Sequence, residues 1–127
     1  MSSIPHKNHN PGFLALVAEA KSRVQEVDIA QYQALPREGH LLIDVREDHE
    51  WAQGHAQGAI HLSKGIIERD IEARVPSKSA KMVLYCGGGY RSALAADVLR
   101  KMGYTDVISL DGGWRAWNEA ELPVEKD

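Results

Sequence analysis

The sequence predicts an α/β domain with a central, mostly parallel sheet and helices on both of its faces. Three observations carry this expectation. Four short apolar runs alternate with stretches of helical periodicity, a pattern that argues for parallel strands joined by crossover helices. The first run, Leu41-Leu42-Ile43-Asp44-Val45, is apolar almost throughout, as a strand buried on both faces would be. A glycine-rich segment joins the third run to the clearest helix, where open α/β sheets hold their ligands.

Residues 1–11 read as a polar lead-in, followed by a helix from Pro11 to Val24 with Phe13, Leu14, Val17 and Ala18 near helical spacing. Ile29 to Leu35 is a second short helix, closed by Pro36 and Gly39. The strand Leu41–Val45 leads into a helix from Glu47 to Gln53, which Gly54 ends. Ala59–Leu62 is the next strand. Ile66 to Val75 is a helix stopped by Pro76, with Ile67, Ile71 and Val75 on one face. Lys81–Tyr85 is the third strand. Arg91 to Met102 is a helix with an apolar stripe of Leu94, Ala95, Val98, Leu99 and Met102. Arg100 and Lys101 suit its C-terminal dipole, and Gly103 suits a left-handed stop. Asp106–Leu110 is the fourth strand. Asp111-Gly112-Gly113 turns the chain into a last helix from Trp114 to Ala120. The organisation expected is an N-terminal extension with a short helix, residues 1–26, before the main α/β domain, residues 27–127.

The bulk composition restricts the function. The chain of 127 residues is 43% hydrophobic and 26% charged, an ordinary globular balance for one domain. The net charge of -3 lacks the basic footprint of a nucleic-acid partner. No apolar stretch approaches the roughly 20 residues that span a bilayer, and no secretory signal is evident. A single cysteine excludes an internal disulfide and fits a reducing compartment, so the expected location is cytoplasmic.

That cysteine, Cys86, opens the segment Cys86-Gly87-Gly88-Gly89-Tyr90-Arg91-Ser92. A lone cysteine is most often an inert core residue. A core residue, however, needs neither a run of three glycines nor a helix start nor a nearby arginine. Glycines let several backbone N–H groups converge on one centre, and a helix N-terminus adds partial positive charge. Arg91 adds a full one. Such a cradle favours a thiolate, which makes Cys86 the candidate nucleophile and Gly87 to Ser92 its binding loop.

With their neighbours, these residues resemble the rhodanese family over residues 27–127. The resemblance rests on Leu42-Ile43-Asp44-Val45-Arg46, Gly54-His55-Ala56-Gln57-Gly58-Ala59-Ile60, the loop from Tyr85 to Ser92, and Asp111-Gly112-Gly113-Trp114 with Trp117. It implies a sulfurtransferase in which Cys86 accepts a sulfur atom from a small anionic donor such as thiosulfate. The persulfide so formed would then yield that sulfur to cyanide, a thiol or a protein acceptor, with no metal or organic cofactor. It leaves two alternatives: a sulfur carrier or docking module for a protein partner, and a phosphatase or arsenate reductase on the same fold. Related phosphatases separate cysteine from arginine by five residues. Here four residues stand between Cys86 and Arg91, and Ser92 occupies the next position, so the tighter ring suits one sulfur atom.

Other polar residues have ordinary readings beside functional ones. Asp44 and Arg46 read as a structural ion pair and as possible support for the site. Glu50 is a candidate partner of Arg46, and His55 reads as a structural histidine. Lys64 and Arg69 could line the mouth and attract an anion, with Tyr90 and Lys64 as candidates for selecting it. Trp114 and Trp117 read as core, with Trp114 a possible wall of the entrance. His6 and His9 have a loose metal-like spacing without a third ligand, so no metal site is expected.

Overall fold

The computed structural model describes residues 9–36 and 38–127. Its elements run α1 (Pro11–Lys21), β1 (Gln25–Val27), α2 (Ile29–Gln33), β2 (Leu41–Asp44), α3 (Asp48–Gln53), β3 (His55–Ala56), β4 (Ile60–His61), α4 (Ile67–Arg74), β5 (Met82–Tyr85), α5 (Tyr90–Lys101), β6 (Val107–Leu110), α6 (Gly113–Glu119) and β7 (Val124–Glu125). Five strands form one parallel sheet in the order β1-β6-β5-β2-β4. β3 and β7 form a separate antiparallel pair.

Alternation along β5 assigns the two faces of the sheet. Met82, Leu84 and Cys86 join Ile43 and Val45 under α4 and α5, where Ile67, Ile71, Ala95, Ala96 and Leu99 complete a buried cluster. Val83 and Tyr85 face the other way, with Leu42, Ile108, Leu110 and Trp117 of α6, and with Ile29 and Tyr32 of α2 at the margin. Fully burying each large apolar side chain stabilises the fold by about 1.5–3 kcal/mol, so the strand runs are committed to these positions. Helices therefore cover both faces, as the sequence predicts.

Beyond the two-residue strands β3 and β7, which the sequence reading lacks, two stretches differ from it. The first helix ends at Lys21 rather than Val24, and Gln25–Val27 is an edge strand that pairs with β6. The bond from Asp111 N to Val27 O, 2.8 Å, extends that pairing to the turn after β6. α5 is also buried more widely than its apolar stripe implies. Of that stripe Ala95 and Leu99 are buried, while Leu94, Val98 and Met102 are half-buried. Ser92 is buried against the sheet, and Ala93, Ala96 and Asp97 are buried as well, in a helix that α1 also packs against. Arg23, just past α1, reaches the Asp97 carboxylate at 2.7 and 3.0 Å. That bond leads the influences that hold the carboxyl down at about 2.

Candidate active site

The Cys86 side chain leaves the C-terminal end of β5 and is almost wholly buried. The loop that follows is gripped from one side. Trp114 N donates to Cys86 O (2.7 Å), Arg115 N to Gly87 O (3.2 Å) and Gly112 N to Gly88 O (3.1 Å). All described peptides are trans, and a trans peptide points its N–H opposite the preceding carbonyl. Turning these three carbonyls toward the start of α6 therefore turns the amides of Gly87, Gly88 and Gly89 the other way. The last of them donates to Cys86 Sγ at 3.1 Å. The glycine pair before Trp114 has its reason here. Gly113 lies so close that a Cβ would strike the carbonyl of Cys86, and its φ of 48° is left-handed. Gly89 also has a left-handed φ, 114°, where it caps α5.

Arg91 stands in the first turn of α5. Its guanidinium lies 3.0 Å from where a Cβ on Gly87 would be, so it flanks the loop. It is held there by Glu50 of α3, through bonds of 2.7 and 3.2 Å. Those bonds chiefly, with Cys86 acting in the same direction, keep the Arg91 charge more firmly than usual. Glu50 also accepts from Glu47 N at 3.0 Å, and Arg91 above all holds its carboxyl at about 2. Glu50 is thus the partner of the loop arginine and not, as its spacing suggests, of Arg46.

Arg46 closes instead on Asp44. Its guanidinium donates to both carboxylate oxygens at 2.9–3.1 Å and to Gly54 O at 2.7 Å. Both residues are buried. Burial works against the Arg46 charge, but Asp44 outweighs it and raises the pKa of the guanidinium. Tyr85 donates to Asp44 Oδ2 at 2.6 Å and accepts from Ala56 N at 3.0 Å. Burial first, then the Asp44 charge, keeps this phenol neutral and therefore able to donate. Tyr85 immediately precedes Cys86, so the network fixes the end of the strand that carries the sulfur. Trp114 covers it, with the Arg46 guanidinium 4.5 Å from the indole centroid.

The remaining sequence candidates separate clearly. Ser92 is fully buried, with its hydroxyl 3.6 Å from Cys86 Sγ. Tyr90 packs against His9 and Phe13, and Lys21 Nζ lies 5.1 Å from its ring centroid, so the start of α1 borders the loop. Lys64 lines a groove among α1, α4 and α5 beside Arg23, Asp97 and Lys101, and among the described residues it makes no polar bond to the loop. Arg69 is exposed and pairs with its neighbour Asp70 at 2.7 Å. His55 is buried, stacked on Trp51 with centroids 3.5 Å apart. Trp117 is core and Trp114 is half-buried. His6 lies outside the described residues. Among those described, no three His, Cys, Asp or Glu side chains gather as a metal site, and no helix is long and apolar enough to cross a membrane.

Sequence reasoning did not single out Ser109, which lies 2.8 Å from the Ser92 hydroxyl. The available signal was a hydroxyl residue in a strand otherwise apolar from Val107 to Leu110.

Comparisons with known proteins identify the family. Residues 28–120 match the family model described as a rhodanese-like domain. A protein of Pseudomonas fluorescens named thiosulfate sulfurtransferase GlpE is 34% identical, over 82% of this chain and 93% of its own. Among solved structures, a Rhodopseudomonas palustris protein of unknown function, described as a possible tyrosine phosphatase, aligns with a TM-score of 0.80 and 30% identity, covering 97% of this chain and 100% of its own. The polysulfide-sulfur transferase homodimer of Wolinella succinogenes aligns with a TM-score of 0.75 and 28% identity, over 91% of this chain and 88% of its own. The family model spans α2 to α6, with every strand of the sheet except the edge strand β1, and takes in both Cys86 and the α6 turn that holds its loop; the chain belongs to the rhodanese-like domain family.

Proposed function

We propose that the protein is a sulfurtransferase that carries a sulfane sulfur as a persulfide on Cys86, taking it from thiosulfate or a similar anion and giving it to cyanide, a thiol or a protein acceptor. The observation that carries the reading is the Gly89 amide aimed at Cys86 Sγ from 3.1 Å, in a loop whose first three carbonyls are taken up by the turn into α6. A converging set of N–H groups favours negative charge on sulfur, and the fixed charge of Arg91 adds to it. The pseudomonad relative named for thiosulfate supports the choice of donor.

The chemistry proceeds in two displacements. The Cys86 thiolate attacks the outer sulfur of thiosulfate; a new S–S bond forms, the old one breaks, and sulfite leaves with the electron pair. The acceptor then attacks the outer sulfur of the persulfide, and the electron pair of that S–S bond returns to Cys86 Sγ. With cyanide the product is thiocyanate. Thiolate enters and thiolate returns, so the cycle needs no strong base, no external oxidant and no cofactor.

Incubation with thiosulfate is expected to add the mass of one sulfur atom at Cys86, and cyanide to remove it as thiocyanate. Cys86→Ser is expected to abolish both. A serine variant that still turned over would overturn the mechanism. A persulfide that forms but discharges only to a protein would favour the carrier role. The description of the Rhodopseudomonas palustris structure favours a second reading, phosphate-ester hydrolysis. Four residues between Cys86 and Arg91 argue against it. Release of an aryl phosphate by the wild type, lost in Cys86→Ser, would establish it.

A further inference from the structure

Ser109 occupies a place where an apolar side chain would be expected. It sits in β6 between Ile108 and Leu110, opposite Leu84 in the register, and is fully buried. Ile108 and Leu110 face Trp117, so alternation turns Ser109 toward α5 and the face that holds Cys86. Its hydroxyl meets Ser92 Oγ at 2.8 Å, and Ser92 Oγ meets Cys86 Sγ at 3.6 Å. Among the described residues, neither hydroxyl has another hydrogen-bond partner.

Counting hydrogens gives this chain a direction. Each serine brings one, and a thiol would bring another. If sulfur donates to Ser92, Ser92 turns to Ser109, and the Ser109 hydrogen is left buried without an acceptor. If sulfur carries no hydrogen, Ser109 donates to Ser92 and Ser92 donates to sulfur, and every hydrogen is placed. A neutral thiol could also accept from Ser92, but an anionic acceptor makes the stronger bond.

We infer that Ser109 is a positioning residue: acting through Ser92, it turns the buried hydroxyl chain toward Cys86 and favours the unprotonated, nucleophilic form of the sulfur. The inference rests on the reading of Cys86 as the reacting atom. The charges around that atom are Arg91 from α5 with Glu50 from α3, the Asp44–Arg46 pair at the end of β2, and Asp111 near Gly89 with Lys21 of α1 at 3.8 Å. None of them is altered by changing Ser109.

The test compares wild type with Ser109→Ala, and Ser109→Thr with Ser109→Val, a pair of equal shape that differs by the hydroxyl. The readout is the pH profile of Cys86 alkylation by iodoacetamide, followed by intact mass, which needs no sulfur donor. Removing the hydroxyl is expected to move the profile to alkaline pH, slowing alkylation about tenfold near neutrality and leaving the alkaline plateau unchanged. Ser109→Thr is expected to stay within about twofold of wild type. Superimposable profiles for wild type and Ser109→Ala would overturn the inference. So would an equal slowing at every pH, which is what a merely structural role would produce. A shifted profile in a protein that transfers no sulfur would uphold the role of Ser109 and defeat the proposed function instead.

Discussion

Replacing Gly113 with alanine tests the way the loop is held. The added Cβ would strike Cys86 O and sit 3.0 Å from Cys86 C and 3.1 Å from Gly87 C, all backbone atoms that cannot swing aside. Relief requires α6 to retreat by roughly an ångström, which takes the bonds from Trp114 N and Arg115 N beyond useful length. Each lost bond costs about 0.5–1.5 kcal/mol. Holding alanine at a left-handed φ costs about 1–3 kcal/mol more. The expected destabilisation is therefore about 2–6 kcal/mol, measured as a shift of the urea midpoint. The released carbonyls should also let the loop amides turn away from sulfur, slowing alkylation of Cys86 in whatever fraction stays folded. Gly88→Ala is the matched control. Gly88 is exposed, has no atom within 4 Å of an added Cβ and no left-handed φ, so alanine there should change stability by no more than about 0.5 kcal/mol. If Gly113→Ala were as stable and as reactive as Gly88→Ala, the grip on the loop carbonyls would not be what shapes the site.

Two further changes probe the charges around the loop. Glu50→Gln should lower stability at neutral pH by about 1 kcal/mol, the scale of a partly exposed ion pair. Because the Glu50 carboxyl is held at about 2 against an ordinary 4.5, its contribution is complete above 4.5 and drains away as pH falls toward 2. Urea midpoints of wild type and variant should therefore converge over that acid range. Asp44→Ala strands the buried Arg46 charge and should cost about 3–5 kcal/mol by denaturant titration, with part of the loss recovered when Arg46 is replaced by methionine as well.

The frame of this fold was legible because its strands are buried on both faces and its main helices carry stop signals, as at Gly54, Pro76 and Gly103. β1 was hidden because Gln25-Glu26-Val27 is short and polar. It is a strand through pairing with β6, not through its own pattern. β3 and β7 have two residues each and lie in no apolar run like the one around β4. At the site, Cys86 and its glycines announced themselves by composition, whereas the choice of partner did not. Glu50 lies 41 positions from Arg91, and Arg46 was the nearer cation in sequence. The same limit hid Asp97, a charge on the inner side of α5 that becomes tolerable when Arg23 arrives from beyond α1. It hid the role of Ser109 too: a hydroxyl in an apolar strand stands out, but its partner appears only when the helix above it supplies Ser92.

The grip of α6 on the loop has a consequence for turnover. The bonds that shape the loop run from its carbonyls to Gly112, Trp114 and Arg115, and none of them passes through the sulfur. A thiol, a thiolate or a loaded sulfur would thus find the same loop backbone, with the Gly89 amide in place. On the proposed reaction, the enzyme would not need to rebuild its site between accepting cargo and surrendering it. The work of arranging the backbone would be done once, at folding, and both half-reactions would draw on a scaffold indifferent to what it holds.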